Sequence, residues 1–219
     1  MTGLTDRTAQ GLLGHITGKA AIFPMPSSYV ALFTAAGNDA GTGFTEVTGG
    51  AYARASTTAA AWNAPSGSSP SQITNAQGIT FAISTSDWGS IVAFGLYDAP
   101  TAGNLIAWDY FGSFAWLPTQ ISAASPAVFS ASQHGYLAGD SVIFSTEYGG
   151  VSPSFSQGNF TGILTVQNPL TDTFSVNNAG TVVNTSSSGN GMVRKIVRQQ
   201  IIAGVQPTFP IASLILTSA

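Results

Sequence analysis

Between Arg54 and Arg194 the chain carries no lysine or arginine, and its whole length holds only six basic and nine acidic side chains. Charge normally keeps a folded surface soluble and discourages association. An average soluble domain is about 25% charged; this one is 7% charged and 44% hydrophobic. Such a chain is expected to meet other protein over much of its surface. The same scarcity excludes function classes. A net charge of -3 and a single basic cluster, Arg194 to Arg198, lack the broad basic face that nucleic-acid binding needs. No apolar run approaches the roughly 18 residues of a membrane span, and residues 1–13 lack the basic-then-apolar pattern of a secretion signal. With no cysteine, disulfides, thiolate metal sites and a cysteine nucleophile are excluded.

Turn residues divide the chain into short pieces. The 25 glycines and 11 prolines, set among Ser, Thr and β-branched residues, read as an all-β fold with tight turns. One helix stands out. Thr5 or Asp6 is placed to cap it, and Ala9, Leu12, Leu13 and Ile16 recur on one face. Gly11 and Gly14 weaken it by about 1 kcal/mol each relative to alanine, so it is expected to depend on docking, and Gly18 is a natural stop. Strands are expected at Tyr29 to Thr34, at Gly78 to Ser84 with Ile79, Phe81 and Ile83 on the buried side, and at Leu105 to Phe111. Ile91 to Tyr97, almost wholly apolar, reads as a central strand. Gly49-Gly50 reads as a hairpin turn between Thr45–Val47 and Tyr52–Thr57. After Pro118 the composition shifts. Residues 121–195 hold shorter strand signals suited to a small barrel or sandwich, and long apolar runs return from Ile196. The predicted architecture is an antiparallel β-sandwich of residues 1–120 and 196–219 with an N-terminal helix, carrying an inserted small β-barrel of residues 121–195.

Several motifs carry a resemblance. After the helix come Tyr29-Val30-Ala31-Leu32-Phe33-Thr34 and Thr45-Glu46-Val47-Thr48-Gly49-Gly50-Ala51-Tyr52-Ala53-Arg54. Then follow Asp87-Trp88-Gly89, Phe94-Gly95-Leu96-Tyr97-Asp98-Ala99 and Gly103-Asn104-Leu105-Ile106-Ala107-Trp108. In this order and spacing, residues 4–112 resemble a family of tailed-phage virion proteins labelled tail-fibre-like or minor tail proteins. Ala203-Gly204 and Phe209-Pro210-Ile211-Ala212-Ser213-Leu214 look like that family's closing segment, with Ser213 where the family usually has glycine. The second block, through Ala131 to Val142, Phe160 to Val166 and Asp172 to Val176, is similar to the first catalytic-cysteine half-domain of ubiquitin-activating enzymes. That likeness implies an accessory module and no ubiquitin chemistry. Together the two resemblances imply an insertion in the last connection of the first fold, which requires residues after 196 to pair with the first block.

The residues offer little chemistry. His15 sits near the helix end, where a cation favours the dipole, and His134 reads as a turn residue. No phosphate loop or nucleophile elbow is present. Asp39 supplies one carboxylate where a hard cation wants several oxygens. No cofactor and no metal are expected, and the nine scattered carboxylates do not form the paired acids of a hydrolase. Arg54 lies between Ala53 and Ala55 and, if buried, needs a bidentate carboxylate, for which Glu46 and Asp87 are the choices. Trp88 and Trp108 read as core. Trp116, Arg194, Lys195 and Arg198 mark the junction and a possible interface, and Tyr136, Tyr148 and Phe155 are aromatics that a host glycan would meet.

What the resemblance implies is a non-enzymatic structural protein of a tailed-phage virion, made in the bacterial host cytoplasm and located on the tail or capsid exterior. It would work by assembly with other virion proteins and with copies of itself, a trimer being the expectation from how such proteins assemble. The alternatives are a head decoration or head-fibre protein cementing the capsid, or a receptor- or glycan-binding adhesin.

Overall fold

The computed structural model describes residues 4–19, 27–67, 71–112, 115–147 and 149–218. The chain forms two compact units, residues 1–111 with 199–219, and residues 112–198. It is mostly β, with one N-terminal helix, α1 (Asp6–Ile16).

In the first unit α1 leads to β1 (Ser27–Ala35), β2 (Thr45–Glu46), β3 (Ala55–Thr58), β4 (Ser71–Thr74), β5 (Ile79–Thr80), β6 (Gly89–Ile91), β7 (Ala93–Tyr97) and β8 (Leu105–Tyr110). β7 lies between β1 and β8, with Val30 opposite Leu96 and Leu96 opposite Ala107. Its apolar run is what a strand flanked on both sides requires, and Ala93, Phe94, Gly95 and Leu96 are buried. β2 and β3 both pair with β1: Glu46 opposes Phe33, and Ala55 opposes Val30. The expected Gly49-Gly50 hairpin is therefore not formed. The chain runs along one edge of β1, leaves it as a loop, and returns to it. Gly49, Gly50 and Ala51 all take positive φ in that loop. A side chain at Gly50 would lie 2.8 Å from the Trp88 indole nitrogen, which donates to the Gly50 carbonyl at 2.9 Å.

The second unit contains β9 (Leu117–Ile121), β10 (Phe129–Ser130), β11 (Ser141–Ser145), β12 (Phe155–Gln157), β13 (Leu164–Gln167), β14 (Thr173–Asn178), β15 (Thr181–Val182), β16 (Asn184–Thr185) and β17 (Gly189–Ile196). Antiparallel pairing runs β10-β9-β17-β11-β13-β14, and β10 also pairs with β14, closing a six-stranded barrel. Alternation fills it: Ile121, Phe129, Val142, Leu164, Val166, Phe174, Val176 and Val193 form one buried cluster. Phe129 stands at its centre, with the Phe160 and Phe174 ring centroids 4.9 and 5.0 Å away. β9 and all of β17 belong to this unit, so the boundaries drawn at 120/121 and 195/196 would cut through barrel strands.

The chain then returns to the first unit as β18 (Gln199–Ile201), β19 (Thr208–Phe209) and β20 (Ile215–Ser218). These pair antiparallel with β6, β5 and β4 in turn, so residues after 198 do join the first block. The core of this unit draws on both parts of the chain, Val30, Leu32, Phe81, Ile91 and Phe94 with Ile201 and Leu214. The alternation expected from Gly78 to Ser84 fails at its end. Ile79 and Phe81 are buried but Ile83 is 55% exposed, because buried Ser84 turns inward to donate to the Ile202 and Val205 carbonyls. In the closing segment Gly204 (φ 84) and Ala212 (φ 60) take left-handed backbone. Ser213 instead donates its hydroxyl to the Pro210 carbonyl at 2.7 Å.

Candidate functional site

The densest polar cluster of the first unit forms where the loop between β2 and β3 folds back on the sheet. Arg54 Nε and Nη2 donate to the two carboxylate oxygens of Glu46 at 2.8 and 2.7 Å. This is the bidentate geometry that makes an arginine–carboxylate pair strong. Nη1 donates to the carbonyls of Ala99 and Ala102 at 2.9 and 2.7 Å, and the guanidinium lies over the Tyr97 ring. Tyr52 completes the arrangement, its hydroxyl donating to Glu46 at 2.9 Å and accepting from the Leu32 N–H at 3.0 Å. Burial opposes the Arg54 charge, yet the hydrogen bond and charge of Glu46 outweigh it and hold its pKa above the ordinary value. Burial raises Tyr52 and Tyr97 as well.

The sequence offered two acids for Arg54, and the structure brings only Glu46 to it. Asp87 instead accepts from the Ala203 N–H at 2.9 Å, tying the returning segment to the loop before β6. Tyr97 and the two carbonyls escaped the sequence reading, since no local spacing links residue 54 to residues 97–102. The turn they belong to is further held by Asp98, which accepts from the Asn104 backbone and side chain at 2.6 and 2.7 Å. Those bonds outweigh burial and lower the Asp98 pKa. The cluster is a clamp, with each acidic and basic group committed to a partner.

Helix α1 is anchored at its start. Thr5 donates to the Leu105 carbonyl at 2.8 Å and meets the Thr8 hydroxyl at 3.1 Å. The Asp6 N–H donates to the Asp39 carbonyl, and the Asp39 carboxylate accepts from Trp108 Nε1 at 2.9 Å. Thr5 therefore works as an anchor to β8 and makes no side-chain cap. Thr8 is the buried residue of the helix, whereas Leu12, Leu13 and Ile16 are 38, 63 and 70% exposed. The apolar face expected to dock on the sheet is turned to solvent.

In the barrel the junction residues meet different fates. Arg194 is 2% exposed, so it is no surface contact; its guanidinium carbon lies 5.0 Å from the Trp116 ring centroid. Lys195 pairs with Asp140 at 2.6 Å, and exposed Arg198 donates to the Ser141 hydroxyl at 3.2 Å. Successive side chains of β17 point to opposite faces, and at Val193 and Arg194 both are buried, whereas Lys195 is half-buried. The aromatic residues proposed for host contact are corrected too. Tyr136 is 7% exposed, its ring packed on His134 and Phe174, and burial pushes its pKa up to about 12. Phe155 is half-buried, 4.7 Å from the Phe160 ring. Tyr148 lies outside the described residues. His134 is buried with its Nδ1 accepting from the Tyr136 N–H at 2.9 Å, which fixes the turn before β11.

Among the described residues no group of three His, Asp or Glu side chains is placed to hold a metal ion, and no helix is long and apolar enough to cross a membrane. A depression beside the clamp is lined by Thr5, Arg7, Tyr97 and Asn104 among others, and Arg7 there faces Asp98 at 3.9 Å. It brings no nucleophile together with a base. Comparison with known families supplies what the geometry leaves open. Residues 3–116, just over half of the chain, match the family model described as podophage GP4 fiber I protein gp80. The chain belongs to this phage fibre family. Fibre proteins of this kind are normally non-catalytic, and membership implies a virion location. The match covers α1, β1–β8 and the whole Arg54 clamp and stops at residue 116, so it does not extend over the barrel. No curated protein matches the sequence.

Proposed function

We propose that this chain is a non-enzymatic structural component of a podophage tail, at the tail tip or fibre base, that works by assembly with other virion proteins and with copies of itself. The observation that carries this reading is the pairing of fibre-family membership with an apolar helix face left in solvent in the same matched region. Contiguous exposed apolar surface of this sort marks interaction sites, and the low charge of the chain offers little to repel a neighbour. The Arg54 clamp contributes rigidity, holding the 99–104 turn against the loop between β2 and β3.

The barrel serves in this reading as an inserted accessory module, a spacer or a contact surface, as its motif likeness to the ubiquitin-activating half-domain suggests. A glycan-binding role is disfavoured, since Tyr136 is in the core and Phe155 packs against it. The test is localisation in purified particles. Antibody-gold labelling of intact virions, with mass spectrometry of separated heads and tails, should find the protein in tails. Its presence in heads alone would overturn the tail placement, and its absence from both would overturn the structural role.

A further inference from the structure

The helix that the fold leaves uncovered carries an unusual internal symmetry. At 3.6 residues per turn, Ala9, Leu12, Leu13 and Ile16 fall within an arc of about 100°. They are spaced symmetrically about the midpoint between Leu12 and Leu13. The segment Ala9-Gln10-Gly11-Leu12 reads outward from that point in the same chemical classes as Leu13-Gly14-His15-Ile16: leucine, glycine, polar, apolar. A contact between two identical surfaces across a twofold axis is self-complementary, residue i meeting j′ while j meets i′. A chemical palindrome on an exposed face meets that condition when the helix lies antiparallel to its own copy.

From this we infer that α1 pairs antiparallel with α1 of a second copy of the chain across a twofold axis. Ala9 then meets Ile16 of the other copy at each end of the contact. Leu12 and Leu13, on the two flanks of the arc, each meet their own counterpart. The helix dipoles agree with this direction, because an antiparallel pair opposes them, while Asp6 and Arg7 offset each other in the first turn. The pairing also accounts for a helix that is marginal alone: 11 residues long with no side-chain cap and Thr8 as its buried residue, where isolated helices below about 12–15 residues are unstable. One helix face is small beside the roughly 1,200 Å² of a standard interface, so the dimer is weak and depends on concentration.

The inference deepens the proposal of self-assembly and rests on it. The 219-residue chain suits a direct test because it has no cysteine of its own. Single variants Ala9→Cys, Leu13→Cys and Ile16→Cys are oxidised with diamide at high protein concentration. Leu13→Cys should link to itself, Ala9→Cys and Ile16→Cys should link little alone, and an equal mixture of those two should link to each other. Sedimentation of the unmodified chain should show a monomer–dimer equilibrium that Leu13→Glu weakens at least tenfold. Strong self-linking of Ile16→Cys, which reports parallel helices, would overturn the inference. So would a trimer in sedimentation, or a monomer at every concentration with no linking. These outcomes concern α1 alone, whereas absence from the virion would sink the wider reading whatever α1 does.

Discussion

In the barrel β10 meets both β9 and β14, so each of the six strands has a neighbour on either side. Among the described residues of the first unit, the main sheet ends at β8 on one side, where Leu4 bridges to Ala107, and at the short β2 and β3 on the other. Its remaining ladders are two-stranded, and its helix shows an apolar face to solvent. A closed barrel has no strand edge to recruit another chain, so it can be poor in charge and still stand apart. An open unit with an uncovered helix face has surface left to satisfy. The contrast bears on the proposed assembly: a closed barrel tolerates low charge without an edge to pair, and an open unit of low charge offers little repulsion to a neighbour.

The comparison can be broken in three places. The largest effect is expected from Phe129→Ala. This ring is fully buried at the centre of the barrel, and losing it should cost about 4 kcal/mol. Urea unfolding should show the barrel transition moving while residues 1–111 keep their hydrogen-exchange protection. If both units lose protection together, they are one cooperative body and the contrast fails. Next is Glu46→Ala, which leaves the Arg54 side chain, 7% exposed, without its carboxylate. Breaking a largely buried pair costs about 3 kcal/mol, and the loss should appear in the first unit with the barrel unchanged. The smallest effect is the share of the barrel's alkaline pH dependence that Tyr136 carries. Tyr136 titrates near 12 when folded and near 10 when unfolded. Its contribution is full below about pH 10 and is lost as pH rises toward about 12. Alkaline unfolding curves of Tyr136→Phe should be flatter over that window; an unchanged slope would show that the ring is not held as described.

Long apolar runs were legible in advance. Ile91 to Tyr97 has no polar face, and its larger part, Ala93 to Tyr97, lies between β1 and β8 as that requires; the run breaks at Val92, and Ile91 ends β6 and pairs with β18 instead. The partner of Arg54 was narrowed to two acids because a buried cation demands one. Three features were hidden, each for a physical reason. Gly49-Gly50 has hairpin chemistry, but β1 offers one long edge to both flanking strands, and pairing with it wins over pairing with each other. Tyr136 sits among glycines, as an exposed loop residue would, yet His134 and Phe174 draw its ring inward. The apolar face of α1 was evident from its periodicity, but periodicity shows only that a face exists and not what covers it. Here the sheet does not.

The way the chain enters and leaves the barrel has a consequence for inheritance. Gly112 and Ile196 form a β-bridge, and β9 is zipped against β17 from Leu117–Val193 onward. A side chain at Gly112 would meet the Lys195 carbonyl at 2.6 Å, so only glycine lets the two strands approach this closely. The ends of the intervening segment thus lie about one residue's reach apart. A recombination event that removes residues 113–195, or trades them for another module with adjacent termini, needs to rejoin almost nothing. The first unit can then stay constant in a phage lineage while the cassette between Gly112 and Ile196 is exchanged.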